Sequence, residues 1–154
     1  MNKTLLLFAV LAIGAGTIVS SCTKNKNSKA TASVVQMTYG GINHVFSSTG
    51  LIHEQGISTV DGTELGTPST LVLSYAGFGK GMYRMGPGSQ NQLSIDISGK
   101  VYTTGRSRAA GAISINKIDT LLTTVSGTFS GSLVNYADSN DVLDVANGYV
   151  SVKY

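Results

Sequence analysis

From Gln36 to the C-terminus, apolar side chains recur at every second position, in short runs cut by turn residues. Leu71, Leu73 and Tyr75 alternate with Val72, Ser74 and Ala76, and Leu93, Ile95 and Ile97 alternate with Ser94, Asp96 and Ser98. Successive side chains of an extended chain point to opposite faces, so each run predicts a strand with one face buried. Ile113 and Ile115 continue the pattern, followed by Val125, Phe129 and Leu133 with Gly127 and Gly131 between them, then by Val150, Val152 and Tyr154. Between the runs stand Asp61-Gly62, Gly66-Thr67-Pro68, Gly77-Phe78-Gly79, Gly86-Pro87-Gly88, Ser98-Gly99 and Asn147-Gly148, all of which favour chain reversal. Asn147-Gly148 is the strongest hairpin signal among them. Residues 118–125 come nearest to a helical stripe but are thick with β-branched threonines. The pattern predicts one all-β antiparallel domain over residues 36–154, with eight to ten strands in a β-sandwich or a partly closed barrel.

The first 21 residues follow a different rule. Lys3 and the amino terminus are positive, residues 5–19 are apolar, and Val19-Ser20-Ser21 leads into Cys22, the layout of a secretory signal. The apolar run falls short of the roughly 20 residues a spanning helix needs, and Gly14 and Gly16 weaken it further. Its end resembles a bacterial lipobox, which implies cleavage between Ser21 and Cys22 and acylation of Cys22. Cys22 is the only cysteine of the chain, so no intramolecular disulfide can form, and acylation would consume a thiol that an oxidising compartment exposes to damage. Residues 22–35 are rich in Lys, Asn, Ser and Thr and read as a tether. The expected partner is a membrane, held through acyl chains on Cys22. The cell envelope is the expected location. Thr23 in place of an aspartate after the cysteine favours the outer membrane, and the lack of acidic residues before Glu54 favours its periplasmic side.

Charge narrows the partners. The chain carries eleven Lys and Arg against eight Asp and Glu. Lys3 belongs to the signal, and Lys24, Lys26 and Lys29 to the tether, which leaves the β domain near neutral. No basic stripe marks it for nucleic acid.

Candidate chemistry is sparse. His44 and His53 are the only histidines, whereas metal sites draw on three or four ligands. His44 shares strand parity with Ile42 and Phe46, which places it at the edge of the core. His53-Glu54 has no third group spaced near it. Gly77-Phe78-Gly79-Lys80-Gly81 lacks the helix and the Lys-Ser or Lys-Thr ending of a phosphate loop. Asp138, Asp141 and Asp144 form an oxygen-rich segment whose spacing does not match an EF-hand, so a solvated turn accounts for them. No Gly-x-Ser-x-Gly stands at a strand-to-helix junction. Tyr39, Tyr75, Phe78, Tyr83, Tyr102 and Tyr136 suit the boundary of a small β core, and Arg84, Arg106 and Arg108 suit exposed positions. The expectation is a protein without catalytic residues, metal or cofactor. A terminal alternation ending on Tyr154 also occurs in outer-membrane barrels, but these need strands of about 9–11 residues with an apolar outer band.

Residues 111–119 (GAISINKID), 124–131 (TVSGTFSG) and 147–150 (NGYV) together resemble a family of small Bacteroidota lipoproteins of unknown function. That family carries a V-S-G-T-F-S strand and a terminal N-G-x-F strand, with Tyr149 here in place of phenylalanine. The resemblance covers residues 100–154 well and 36–100 loosely. It implies a secreted, lipid-anchored all-β domain and adds no catalytic residue. The expected function is a non-enzymatic binding or structural accessory of the envelope. The alternatives are a carrier of a small apolar or sugar ligand, to be recognised by an enclosed cavity, and a cryptic hydrolase, to be recognised by activity profiling of residues 36–154.

Overall fold

A computed structural model describes residues 32–154; the signal segment, Cys22 and the tether up to residue 31 lie outside the described residues. The alternating runs become ten strands: β1 (Val34–Tyr39), β2 (Ile42–Glu54), β3 (Ile57–Glu64), β4 (Thr70–Ala76), β5 (Gly81–Met85), β6 (Gln92–Ile97), β7 (Lys100–Thr103), β8 (Ala110–Asp119), β9 (Thr124–Asn135) and β10 (Val142–Lys153). All pairings are antiparallel, and there is no helix among the described residues. β1 begins at Val34 with Val35 fully buried, so the first strand takes in two residues that composition alone assigns to the tether.

Eight strands close into a barrel in the order β10-β1-β2-β3-β4-β6-β7-β9, with β9 returning to β10. β9 is the strand at which the sheet forks. One edge pairs with β10 from Thr124 to Val134, while the other pairs with β8 over Thr124–Ser132 and with β7 only at Val134 and Asn135. β8 and then β5 therefore leave the ring as a two-stranded flap. The outer edge of β5 is bridged back by a side chain. Asn91 Oδ1 accepts from Ala76 N at the end of β4 (2.7 Å), and its Nδ2 donates to Arg84 O on β5 (2.9 Å). Ser89 Oγ donates to the same carbonyl, which blunts an edge that would otherwise invite strand pairing.

The inside of the barrel is filled by side chains. Val35, Met37, Phe46, Val60, Leu71, Leu73, Tyr75, Leu93, Ile95, Leu133, Val150 and Val152 are all but fully buried in one cluster. On β9 and β3 the outward positions are polar, Thr124, Ser126, Thr128, Ser130 and Ser132 on the first and Thr59, Asp61 and Thr63 on the second, while Val45 and Ile52 on β2 and Val72 on β4 are exposed apolar exceptions. An apolar interior with hydroxyl-rich outer faces on β3 and β9 differs from a membrane-spanning barrel, whose outer band is apolar on every strand.

Three two-residue turns, Gly40-Gly41, Gln55-Gly56 and Ser98-Gly99, have positive φ at both central residues, as the hairpin twist requires. Two predicted reversals lie inside strands instead. Gly62 sits in β3, buried where a Cβ would press on Phe46. Asn147-Gly148 forms a bulge within β10, because both halves of that strand pair with β9 and Gly148 leaves room for the Phe129 ring.

The registers give the barrel two distinct ends. The chain enters at Ser33, at the end that also holds the Gln55-Gly56 turn, the 77–80 loop, the 120–123 turn and Tyr154. The opposite end holds Gly40-Gly41, residues 65–69, Ser98-Gly99 and residues 136–141.

Candidate functional site

A surface depression of about 630 Å³ lies on the outer wall over β8, β9 and β10. Its floor is made of small residues, Ala112, Ser114, Thr128, Ser130 and Ala146, and its rims are Met82 on β5 and Tyr149 on β10, both exposed. Glycines draw the wall this close. A Cβ on Gly127 would collide with the Ser114 carbonyl and one on Gly131 with the Ala110 carbonyl, so β8 and β9 approach more tightly there than side chains permit. The bulge at Asn147 then turns Tyr149 outward beside the hydroxyl-lined floor. The Val-Ser-Gly-Thr-Phe-Ser and Asn-Gly-Tyr segments thus meet on one surface, with Phe129 turned into the core. An open trough with a thioether on one side, a phenol on the other and hydroxyls between suits contact with another molecule's side chains. It holds no acid, base or nucleophile pair. The next depressions, at residues 99–101 with 135–141 and at residues 52–59, are also open to solvent.

The strongest polar cluster lies elsewhere. His44 is stacked flat on Tyr39, with ring centroids 3.6 Å apart, and its Nδ1 is 2.7 Å from Glu64 Oε1. Thr67 Oγ1 donates to Glu64 Oε2 at 2.8 Å. Burial pushes the Glu64 carboxyl up, but the hydrogen bonds from His44 and Thr67 and the His44 charge outweigh it, so the group sits below the ordinary carboxylate value. Burial, and then the Glu64 charge, push the Tyr39 hydroxyl up. His44 is half-buried at the rim of the core, as its strand parity with Phe46 implies, while Ile42 at the hairpin start is exposed. The cluster closes the β2–β3 edge at the far end of the barrel. None of the surface depressions described above opens onto it.

The remaining sequence candidates separate in space. His53 Nδ1 pairs with Ser58 Oγ at 2.9 Å, and Ser58 donates to Gly77 O, so His53 anchors the 77–80 loop and leaves Glu54 to solvent. Asp138 caps Asn140 N, Asp141 accepts from Tyr102 and Asn135 with Lys100 at 3.7 Å, and Asp144 accepts from Ser132. The three aspartates face different partners, and no group of three metal-ligating side chains is present among the described residues. The bonds from Asn135 and then Tyr102 hold the Asp141 carboxyl low, while burial and Asp141 push the Tyr102 hydroxyl up. Arg106 lies over the Tyr136 ring at 5.0 Å. Met82 and Tyr149 were not legible as a pair. The only sequence signal was an aromatic on the polar parity of the last strand.

Residues 46–151 match the family described as Domain of unknown function (DUF6252). No curated protein and no solved structure matches the chain.

Proposed function

The chain belongs to the DUF6252 family, a domain of unknown function, and from that premise we propose that it is a lipid-anchored accessory module of the cell envelope, a binder rather than an enzyme. In this reading the signal is cut between Ser21 and Cys22, acyl chains on Cys22 hold the protein at the periplasmic side of the outer membrane, and the relatives are lipoproteins of Bacteroidota. The lipobox-like ending at Cys22 and the Val-Ser-Gly-Thr-Phe-Ser and Asn-Gly-Tyr segments support it.

The observation that carries the binding role is the filled barrel. A carrier needs an enclosed apolar chamber, whereas the positions that would line one here are occupied by Phe46, Met37, Tyr75 and their neighbours. Recognition then falls to the outer wall, and the trough between Met82 and Tyr149 is the surface built for it. Tyrosine and methionine are among the side chains enriched in protein interfaces, which makes a protein partner the reading this surface favours.

The test is a pull-down from the native envelope with the acylated protein, run beside a Tyr149→Ala variant. A partner captured by the wild type and lost with Tyr149→Ala supports the reading. A small molecule co-purifying at one equivalent contradicts it in favour of a carrier. Cys22→Ala should move the protein into the soluble fraction with its domain folded, and retention on membranes after a high-salt wash would contradict the anchor.

A further inference from the structure

We propose that the end of the barrel where the chain enters rests on a phospholipid surface, with the turn between β8 and β9 placing Leu121 and Leu122 in the interface. This orientation rests on the anchor at Cys22.

Leu121 is 94% exposed and Leu122 55%, side by side at the tip of a hairpin. Their exposure is built rather than incidental. Asp119 Oδ1 accepts from the backbone N–H of both, at 3.1 and 3.0 Å, Lys117 holds the other carboxylate oxygen at 3.0 Å, and Thr123 closes the turn at a φ of 50°. Such a turn fixes its backbone and holds both leucines outside the core cluster. The apolar character continues across the same end. Tyr154 N donates to Thr123 O at 3.0 Å, and the Tyr154 ring meets the exposed Phe78 ring edge-on, 4.9 Å between centroids.

The occupant is indicated by where the chain comes in. Ser33 Oγ accepts from Lys153 N and Ser33 O from Ser48 N, so the preceding residues leave from this end. Lys153 pairs with Thr124 at the foot of the leucine turn. Ten residues lie between Cys22 and Ser33, eleven chain steps or at most about 40 Å of extended chain, so acyl chains on Cys22 keep this end near the bilayer. A tethered contact of this kind is effectively intramolecular, and a few apolar side chains suffice where they would not bind on their own.

Charge points the same way. This end carries Lys80, Lys117 and Lys153 against Glu54 and Asp119, while the opposite end carries Glu64, Asp96, Asp138 and Asp141 against Lys100 and Arg106. Anionic headgroups would attract the first and repel the second. Leu65, exposed at the opposite end beside Glu64, serves as the control.

The experiment uses the full acylated chain with an environment-sensitive dye on Leu122→Cys or, separately, on Leu65→Cys. The chain is bound to vesicles of phosphatidylethanolamine and phosphatidylglycerol that contain doxyl-labelled phosphatidylcholine. Quenching several-fold stronger at residue 122 than at residue 65 is the expected result, with Leu121→Cys as the second site if the first variant unfolds. Equal quenching at both positions, or none at 122 in vesicle-bound protein, overturns the orientation while leaving the anchor standing. Protein that stays off the vesicles and takes up a second dye at Cys22 overturns the anchor, and the orientation with it. A concentration-dependent blue shift at residue 122 in Cys22→Ala protein without lipid would assign the turn to a second copy and overturn the lipid contact.

Discussion

Tyr75 is fully buried in the barrel interior, and its hydroxyl makes no hydrogen bond. Ser58 lies opposite it on β3 but is committed to Gly77 O and His53, and burial pushes the phenol's pKa up, so a neutral hydroxyl sits without a partner. Removing such a group relieves a desolvation penalty, so Tyr75→Phe should be neutral or stabilise the fold by up to about 1–2 kcal/mol in urea denaturation. A loss of stability would mean that Ser58 does reach the phenol. Glu64 behaves in the opposite sense. Its carboxyl is held below the ordinary value in the folded state, so it contributes stability at neutral pH that disappears as the pH falls through that lowered value. Glu64→Gln should cost roughly 1–3 kcal/mol at pH 7, and the gap between variant and wild type should shrink on acidification below about pH 4. Denaturant midpoints across that range measure it. Neither site was legible in the sequence, because the pairing of His44 with Glu64 spans a whole hairpin and depends on register.

At the scale of elements, the strands with the cleanest alternation were the ones most readable. Leu71, Leu73 and Tyr75 on β4 and Leu93 and Ile95 on β6 all face the core, as their period-two spacing implies. β3 was faint because its inward positions include Ser58 and Gly62, polar or absent side chains that a hydrophobic pattern cannot see. The glycines misled for the same reason. Gly62 and Gly148 look like turn residues but sit within strands, where a phenylalanine from the neighbouring strand fills the space. Gly127 shows how much the wall depends on such gaps. Gly127→Ala would set a Cβ against the Ser114 carbonyl and should cost about 3 kcal/mol or more, since backbone rather than a flexible side chain must give way. Ser126→Ala next to it, on the outer face, should stay within about 0.5 kcal/mol. Thermal melts of the two variants make the comparison, and equal melts would remove close strand approach as the reason for glycine at residue 127.

For the whole molecule, period-two patterning led to an all-β domain, but barrel and sandwich share that pattern. What decides between them is a long-range pairing, the return of β9 to β10 together with its short contact with β7. The trough was invisible for a related reason: Met82 and Tyr149 come from strands far apart in sequence, brought together through β8 and β9. The proposed role at a membrane surface rests on the filled interior, on the lysine-bearing end where the chain enters and on the leucine turn beside it. All of this hangs on Cys22. Intact-mass spectrometry of the protein purified in detergent from its native host tests it most directly. The account predicts a chain beginning at Cys22 and heavier than its polypeptide by a glyceride and fatty acyl groups; a mass equal to the unmodified polypeptide would contradict it.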